Sequence, residues 1–163
     1  MKRIAALAVV SVALPAFAQV ANEPTISADA ALDVVAGALR HCRAEGQKVS
    51  VTVVDAAGRV KAAVRDDGAA PHTPEHSMRK AYTALSYKVP SAEYGKRAAE
   101  AKGVAIGPQL LPNITTAAGG VPIRSGNAVI GAVGVSGSPS SVGGGGHDAK
   151  CAEAGIARVF PAS

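Results

Sequence analysis

The segment that most constrains this chain lies between Gly119 and Gly137. Gly119-Gly120-Val121-Pro122-Ile123-Arg124 and Ala128-Val129-Ile130-Gly131-Ala132-Val133-Gly134-Val135-Ser136-Gly137 are two apolar runs. Ser125-Gly126-Asn127 joins them and is turn material, so the segment predicts a β-hairpin. Glycines 131, 134 and 137 punctuate the second run, although glycine weakens a strand. Glycine is kept in such places where another backbone or a flat ligand comes close. The bare strand is therefore either packed tightly within the fold or the floor of a binding surface, and the pattern alone leaves both readings open.

The first residues carry an export address. Lys2 and Arg3 precede the uncharged apolar run Ile4 to Leu14, and Pro15-Ala16-Phe17-Ala18 offers small residues where a signal peptidase reads. Residues 1–18 are thus expected to be a secretory signal cleaved after Ala18, with an uncleaved anchor as the alternative. The run is shorter than the roughly 20 residues needed to span a bilayer. No later segment is long and apolar enough either, so stable membrane insertion is not expected. Residues 19–163 form one domain's worth of chain, exported and therefore periplasmic or secreted. Losing Lys2 and Arg3 lowers the 17 lysines and arginines to 15 and the formal charge from +5 to +3. With no cationic run left, a nucleic-acid partner is not expected. There is no Trp, with two Phe and three Tyr, so Ala, Val and Gly must form the core and thin layers in close contact are favoured.

Cys42 and Cys151 each fall in a predicted helix near opposite ends of the mature chain. In an oxidising compartment the leading expectation is a disulfide between them. It would close a loop of more than a hundred residues, worth about 4 to 5 kcal/mol in the chain-entropy account. Two buried free thiols are the alternative. A metal pair is disfavoured, because neither cysteine shows a second thiol or imidazole at ligand spacing.

Ser27 caps a predicted helix with Ala31, Leu32, Val35, Leu39 and Cys42 at helical spacing, and Gly46 ends it. Val49 to Asp55 reads as a strand with Val49, Val51 and Val53 on one face, and Val60 to Arg65 returns as its hairpin partner. After a loop from Asp66 to His72, Thr73-Pro74-Glu75 is a helix start running to about Lys88. Ser91 starts another helix reaching roughly Ala101. Ile114 to Ala117 is expected to be a short strand leading into the glycine-rich hairpin. Ser136 to Gly146 is a loop, and Asp148 to Val159 a closing helix with Ala152, Ile156 and Val159 inward. This order predicts an α+β fold around an antiparallel sheet. Terminal helices on one face and middle helices on the other make a three-layer α/β/α sandwich, which would let the cysteines meet.

Few motifs carry chemistry. Gly143 to Gly146 lacks the lysine and hydroxyl of a phosphate loop and reads as a flexible loop. His147 and Asp148 follow it, with helix capping the simpler role for Asp148. The four histidines, His41, His72, His76 and His147, form neither a Cys-x-x-Cys-His nor a His-Glu-x-x-His motif. His72 and His76 are four apart, but His72 precedes the helix, so they are not expected to share a helix face. Either is a candidate single axial or pocket ligand, since neutral imidazole binds iron. Lys80 with Thr83, and Arg79 with Tyr82, share helix faces suited to a flat carboxylate-bearing ligand. Spacing alone equally permits a solvated helix with Tyr82 against the sheet. Asp66 and Asp67 read as turn residues, and no nucleophilic triad can be assigned.

Five motifs in order, Val53-Val54-Asp55-Ala56-Ala57-Gly58-Arg59, Arg65-Asp66-Asp67-Gly68-Ala69, Arg79-Lys80-Ala81-Tyr82-Thr83-Ala84, Gly119 to Ile123 and Ile130 to Gly137, resemble the GlcG/HbpS family of haem-binding or haem-degrading domains. Ala152-Glu153-Ala154-Gly155 fits too, and the resemblance spans roughly residues 28 to 159. It implies a profilin-like sandwich on a five-stranded antiparallel sheet, assembled into homo-oligomers. It also implies haem or a similar planar tetrapyrrole as ligand, with binding more expected than catalysis. An enzyme degrading haem or acting on a small carboxylate is the alternative, and a structural or sensory partner docking at the glycine-rich sheet edge a third. On this reading His72 or His76 approaches iron, Tyr82 stacks, and Lys80 or Arg124 meets propionates, with Thr83 in the same pocket.

Overall fold

The structure, a computed structural model, describes residues 22–101 and 111–161. The expected signal segment, residues 1–18, lies outside the described residues. The elements are α1 (Ala28–Ala44), β1 (Ser50–Asp55), β2 (Val60–Arg65), α2 (Thr73–Tyr87), α3 (Ser91–Glu100), β3 (Gly120–Ser125), β4 (Ala128–Ser136) and α4 (Gly145–Val159). A 3-10 turn, Ser140–Val142, sits before α4.

The strands form one antiparallel sheet in the order β2-β1-β4-β3. Strand alternation sends side chains to opposite faces. Val51 and Val53 of β1 join Val133 and Val135 of β4 in a core with Val34, Val35 and Ala38 of α1 and Ala152 of α4. The opposite face packs Val54 and Ala132 on Ala81 and Ala84 of α2.

Glycine makes the second packing possible. A Cβ at Gly134 would lie 2.0 Å from the Ser77 carbonyl oxygen, and one at Gly120 would lie 2.1 Å from that of Lys80. At Gly120 and Gly134 the bare strands are therefore covered by the backbone of α2, which seats directly on the sheet, while Gly131 and Gly137 admit the carbonyl oxygens of Val54 and Lys48, each 2.5 Å from where a Cβ would lie. The glycine-rich face is not an open docking surface. On the other side α1 and α4 cross at Gly37 and Gly155, where a Cβ on Gly155 would meet the Val34 carbonyl oxygen at 2.5 Å. Close to that crossing Cys42 and Cys151 form a disulfide, with Cα atoms 5.6 Å apart.

Several expectations need correction. The sheet has four strands among the described residues, not five, because Ile114 to Ala117 is not a strand. The Thr115 N–H donates to the Thr83 hydroxyl at 3.0 Å and the Ala117 N–H to the Thr115 hydroxyl at 3.2 Å, so side chains take bonds a ladder would need. Leu32 does not join the inner stripe of α1 and is 56% exposed; Val34 and Ala38 are buried instead. The closing helix starts at Gly145, ahead of Asp148, and Ile156 and Val159 are only half-buried on it. Thr73 does not cap α2, because its hydroxyl is used elsewhere.

That hydroxyl belongs to a buried polar seam. Ser50 Oγ and Thr73 Oγ1 are 2.7 Å apart, as are Thr52 Oγ1 and Ser77 Oγ. Thr73 donates to the Ala70 carbonyl and Ser77 to the Pro74 carbonyl, both at 2.8 Å. Each hydroxyl has one proton, so Ser50 and Thr52 must be the donors across the seam. The two bonds fix the register of α2 on β1 and thereby aim the residues at its N-terminal end.

Candidate functional site

The N-terminal end of α2, the chain around Ala117–Ala118, the exit of β4 and the start of α4 enclose a cleft of about 450 Å³. Its walls include His72, His76, Lys80, Ser136, Ser138 and Asp148. His72 is the N-cap, but its dihedrals are already helical, at φ −80° and ψ −16°. The His76 N–H accordingly bonds the His72 carbonyl at 3.1 Å. The turn is continuous, and although His72 precedes the first residue of α2, both imidazoles border one cleft.

His76 Nδ1 lies 3.2 Å from Ser136 Oγ, and Nε2 makes no hydrogen bond among the described residues. Partial burial holds the His76 pKa below the usual imidazole value, and the nearby Lys80 cation adds to that. His76 is thus a neutral imidazole with one nitrogen positioned by a hydroxyl and the other unengaged. This is the state in which imidazole ligates a metal.

Below the histidines, Lys80 and Asp148 form an ion pair with 2.8 Å between Nζ and Oδ2, their side chains 3% and 2% exposed. Lys80 Nζ also donates to the Val135 carbonyl at 2.9 Å, and Asp148 Oδ1 accepts the Ser138 N–H at 3.0 Å. The pair therefore joins α2, the end of β4 and α4 at the cleft floor. Burial lowers the Lys80 pKa, and the Asp148 carboxylate opposes that shift. A solvated Lys80 is thus excluded, as is a plain capping role for Asp148. The helix pattern held a signal: Ser77, Lys80, Ala81 and Ala84 follow the 3.6 period and share the buried stripe.

The remaining predicted residues lie elsewhere. Thr83 is fully buried, accepting from the Thr115 N–H and donating to the Arg79 carbonyl at 2.8 Å, and it is not among the residues that line the His72–His76 cleft. Tyr82 and Arg124 line a second cleft of about 510 Å³ with Gly58, Lys88 and Asn127. Arg124 there donates to the Lys88 carbonyl at 2.7 Å. The single pocket read from sequence is two pockets, one at each end of α2.

A third cluster flanks the disulfide. His147 Nδ1 is 3.9 Å from Cys151 Sγ and 2.9 Å from Ser138 Oγ, while Nε2 bonds the Glu45 carboxylate. The His147 bond holds the Glu45 carboxyl below its ordinary range. An imidazole does stand at ligand spacing from a cysteine, since His147 and Cys151 are one helical turn apart on α4. Asp66, read as a turn residue, is buried and accepts 2.7 Å and 3.1 Å bonds from Arg43 of α1. That guanidinium holds the Asp66 carboxyl below the usual carboxylate range.

An α+β domain with an imidazole-bordered cleft beside a buried ion pair is thus the class that fold and site define. The chain belongs to the family described as haem degrading protein HbpS-like, which it matches over residues 26–157. A double mutant of HbpS from Streptomyces reticuli is 31% identical with a TM-score of 0.78, covering 92% of this chain and 97% of that one. The Klebsiella pneumoniae protein ORFY is 26% identical with a TM-score of 0.79, covering 91% and 100%. A PduOC–haem complex shares the fold at 22% identity and a TM-score of 0.73, covering 83% and 96%. No curated protein matches the chain.

Proposed function

We propose that this protein binds haem, or a similar iron tetrapyrrole, in the His72–His76 cleft, with His76 Nε2 as the iron ligand. One observation carries the reading: a neutral, half-buried imidazole is braced by Ser136 and opens on a cleft of about 450 Å³. That volume lies in the range of small-molecule sites, roughly 300–1,000 Å³. Membership of a family named for haem supports it. His72, exposed on the same rim, would be the second imidazole available to hold such a ligand. Lys80 at the floor is already committed to Asp148 and the Val135 carbonyl, so it would not be the residue that holds a propionate. We infer further that residues 19–163 act as one exported domain, periplasmic or secreted, in a three-layer, profilin-like arrangement. A shallow cleft of this kind is best completed by another copy in a homo-oligomer.

The test is titration of the purified protein with haemin while the Soret band is followed. A saturable shift lost in His76→Ala supports the reading, and no shift at micromolar haemin overturns it. The family description favours haem breakdown as the second reading. Bleaching of the bound haem by a reductant, with release of iron, would select it, the redox chemistry then being supplied by the cofactor.

A further inference from the structure

We infer that Cys42, Cys151 and His147 form a second, redox-gated cation site: closed while the disulfide stands, and able to hold zinc or a similar borderline divalent cation once it is reduced. The three ligand atoms lie within 4.8 Å of one another and all three residues are buried. Two thiolates and one imidazole are a donor set that zinc accepts in tetrahedral geometry, with a fourth position left for water.

The tautomer of His147 favours this role. The Glu45 carboxylate only accepts, so Nε2 carries the proton shared with it, and in neutral imidazole the Nδ1 lone pair points to the sulfurs and to the Ser138 hydroxyl. A ligating imidazole whose other nitrogen donates to a carboxylate is the usual support around protein-bound zinc. The cluster joins α1 to α4 as the disulfide does, and Cα atoms 5.6 Å apart leave both sulfurs within reach of one centre after side-chain rotation. The chemistry balances. A tertiary phosphine and water deliver two electrons and two protons to the S–S bond, giving two thiols and the phosphine oxide. A divalent cation then displaces both thiol protons to solvent and takes two Sγ ligands and Nδ1.

The experiment is anaerobic titration of the phosphine-reduced protein with Co(II), watching thiolate-to-cobalt charge-transfer absorption. The expected result is one cobalt per chain, displaceable by zinc, with no such band in the oxidised protein. Glu45→Gln should weaken binding by about 10- to 100-fold, and His147→Ala at least as much. If reduction loosens the fold, added zinc should restore the melting transition of the reduced wild type and not that of the Cys42→Ser/Cys151→Ser double variant. Reduced protein with neither the band nor a zinc-restored transition overturns the inference. So does cobalt binding unchanged in both His147→Ala and the double variant, which would place the metal at His72 or His76 instead. Haemin binding in the other cleft is read separately, so either conclusion can fail alone.

Discussion

The Lys80–Asp148 pair gives the sharpest test of how the cleft is held. Coulomb's law at an effective dielectric near 20 gives about 6 kcal/mol for unit charges 2.8 Å apart. Desolvation of two side chains 3% and 2% exposed opposes most of it. The net value of the pair is thus small, while breaking it is costly, because the surviving charge is stranded. Lys80→Met leaves Asp148 buried without its cation and the Val135 carbonyl without a donor, and should cost about 3–5 kcal/mol. Adding Asp148→Asn to Lys80→Met removes the stranded charge and keeps an acceptor for the Ser138 N–H, so it should restore about 2 kcal/mol or more. Urea unfolding of wild type, both single variants and the double variant, with slopes compared for two-state behaviour, measures the cycle. A coupling below about 0.5 kcal/mol, the scatter expected of independent sites, would refute the reasoning. It would mean that water reaches the pair and that the cleft floor is not dry.

Gly134→Ala should destabilise by about 1–3 kcal/mol or more, since its Cβ meets helix backbone that cannot swing away. Gly146→Ala, with nothing within 4 Å of its Cβ, is the matched control, and equal melting temperatures for the two would refute the seating of α2 on bare strand. With metal excluded, the Cys42→Ser/Cys151→Ser double variant should lose close to 4.8 kcal/mol by loop entropy over the sequence separation of 109. Chemical denaturation checks it, and an unchanged midpoint would contradict it. His76 has its folded pKa below the unfolded value of about 6.5. Its stabilising contribution is therefore whole above that pH and is lost as pH falls toward the folded pKa. Haemin affinity should persist below pH about 6.5 and fall only as His76 itself protonates, which Soret titrations across pH would show. Asp66, held low by Arg43, contributes stability above the unfolded carboxylate value of about 3.9. That share is lost as pH falls through its folded pKa, and Asp66→Asn should flatten the acid limb of the stability curve.

Much of the fold was legible because local rules act on neighbours in the chain. Ser27 accepts the Ala30 N–H at 3.2 Å, as a helix cap should, and Gly46 leaves α1 at φ 73°. The spans of β2 and the β3–β4 hairpin follow directly from alternation and turn residues. Where sequence reading failed, side chains had partners distant in the chain. Thr73 has the composition of a cap and is instead held by Ser50. Ile114 to Ala117 has strand propensity, yet Thr83 takes the Thr115 N–H.

The sequence by itself determined the two hairpins and the order of the helices around them, since these rest on periodicity and turn chemistry; the disulfide was its leading expectation, and the α2 segment was singled out by the family resemblance. Only the tertiary structure decided that Gly120 and Gly134 admit a helix backbone rather than a ligand. The same is true of the split between the His76 and Tyr82 clefts, of the Lys80–Asp148 floor and of the place of His147 beside the disulfide. The physical reason is range. Helix and strand patterns are set within a few residues, whereas a buried charge or imidazole takes its role from a partner that only folding brings near, 68 positions away for Lys80 and 102 for His147.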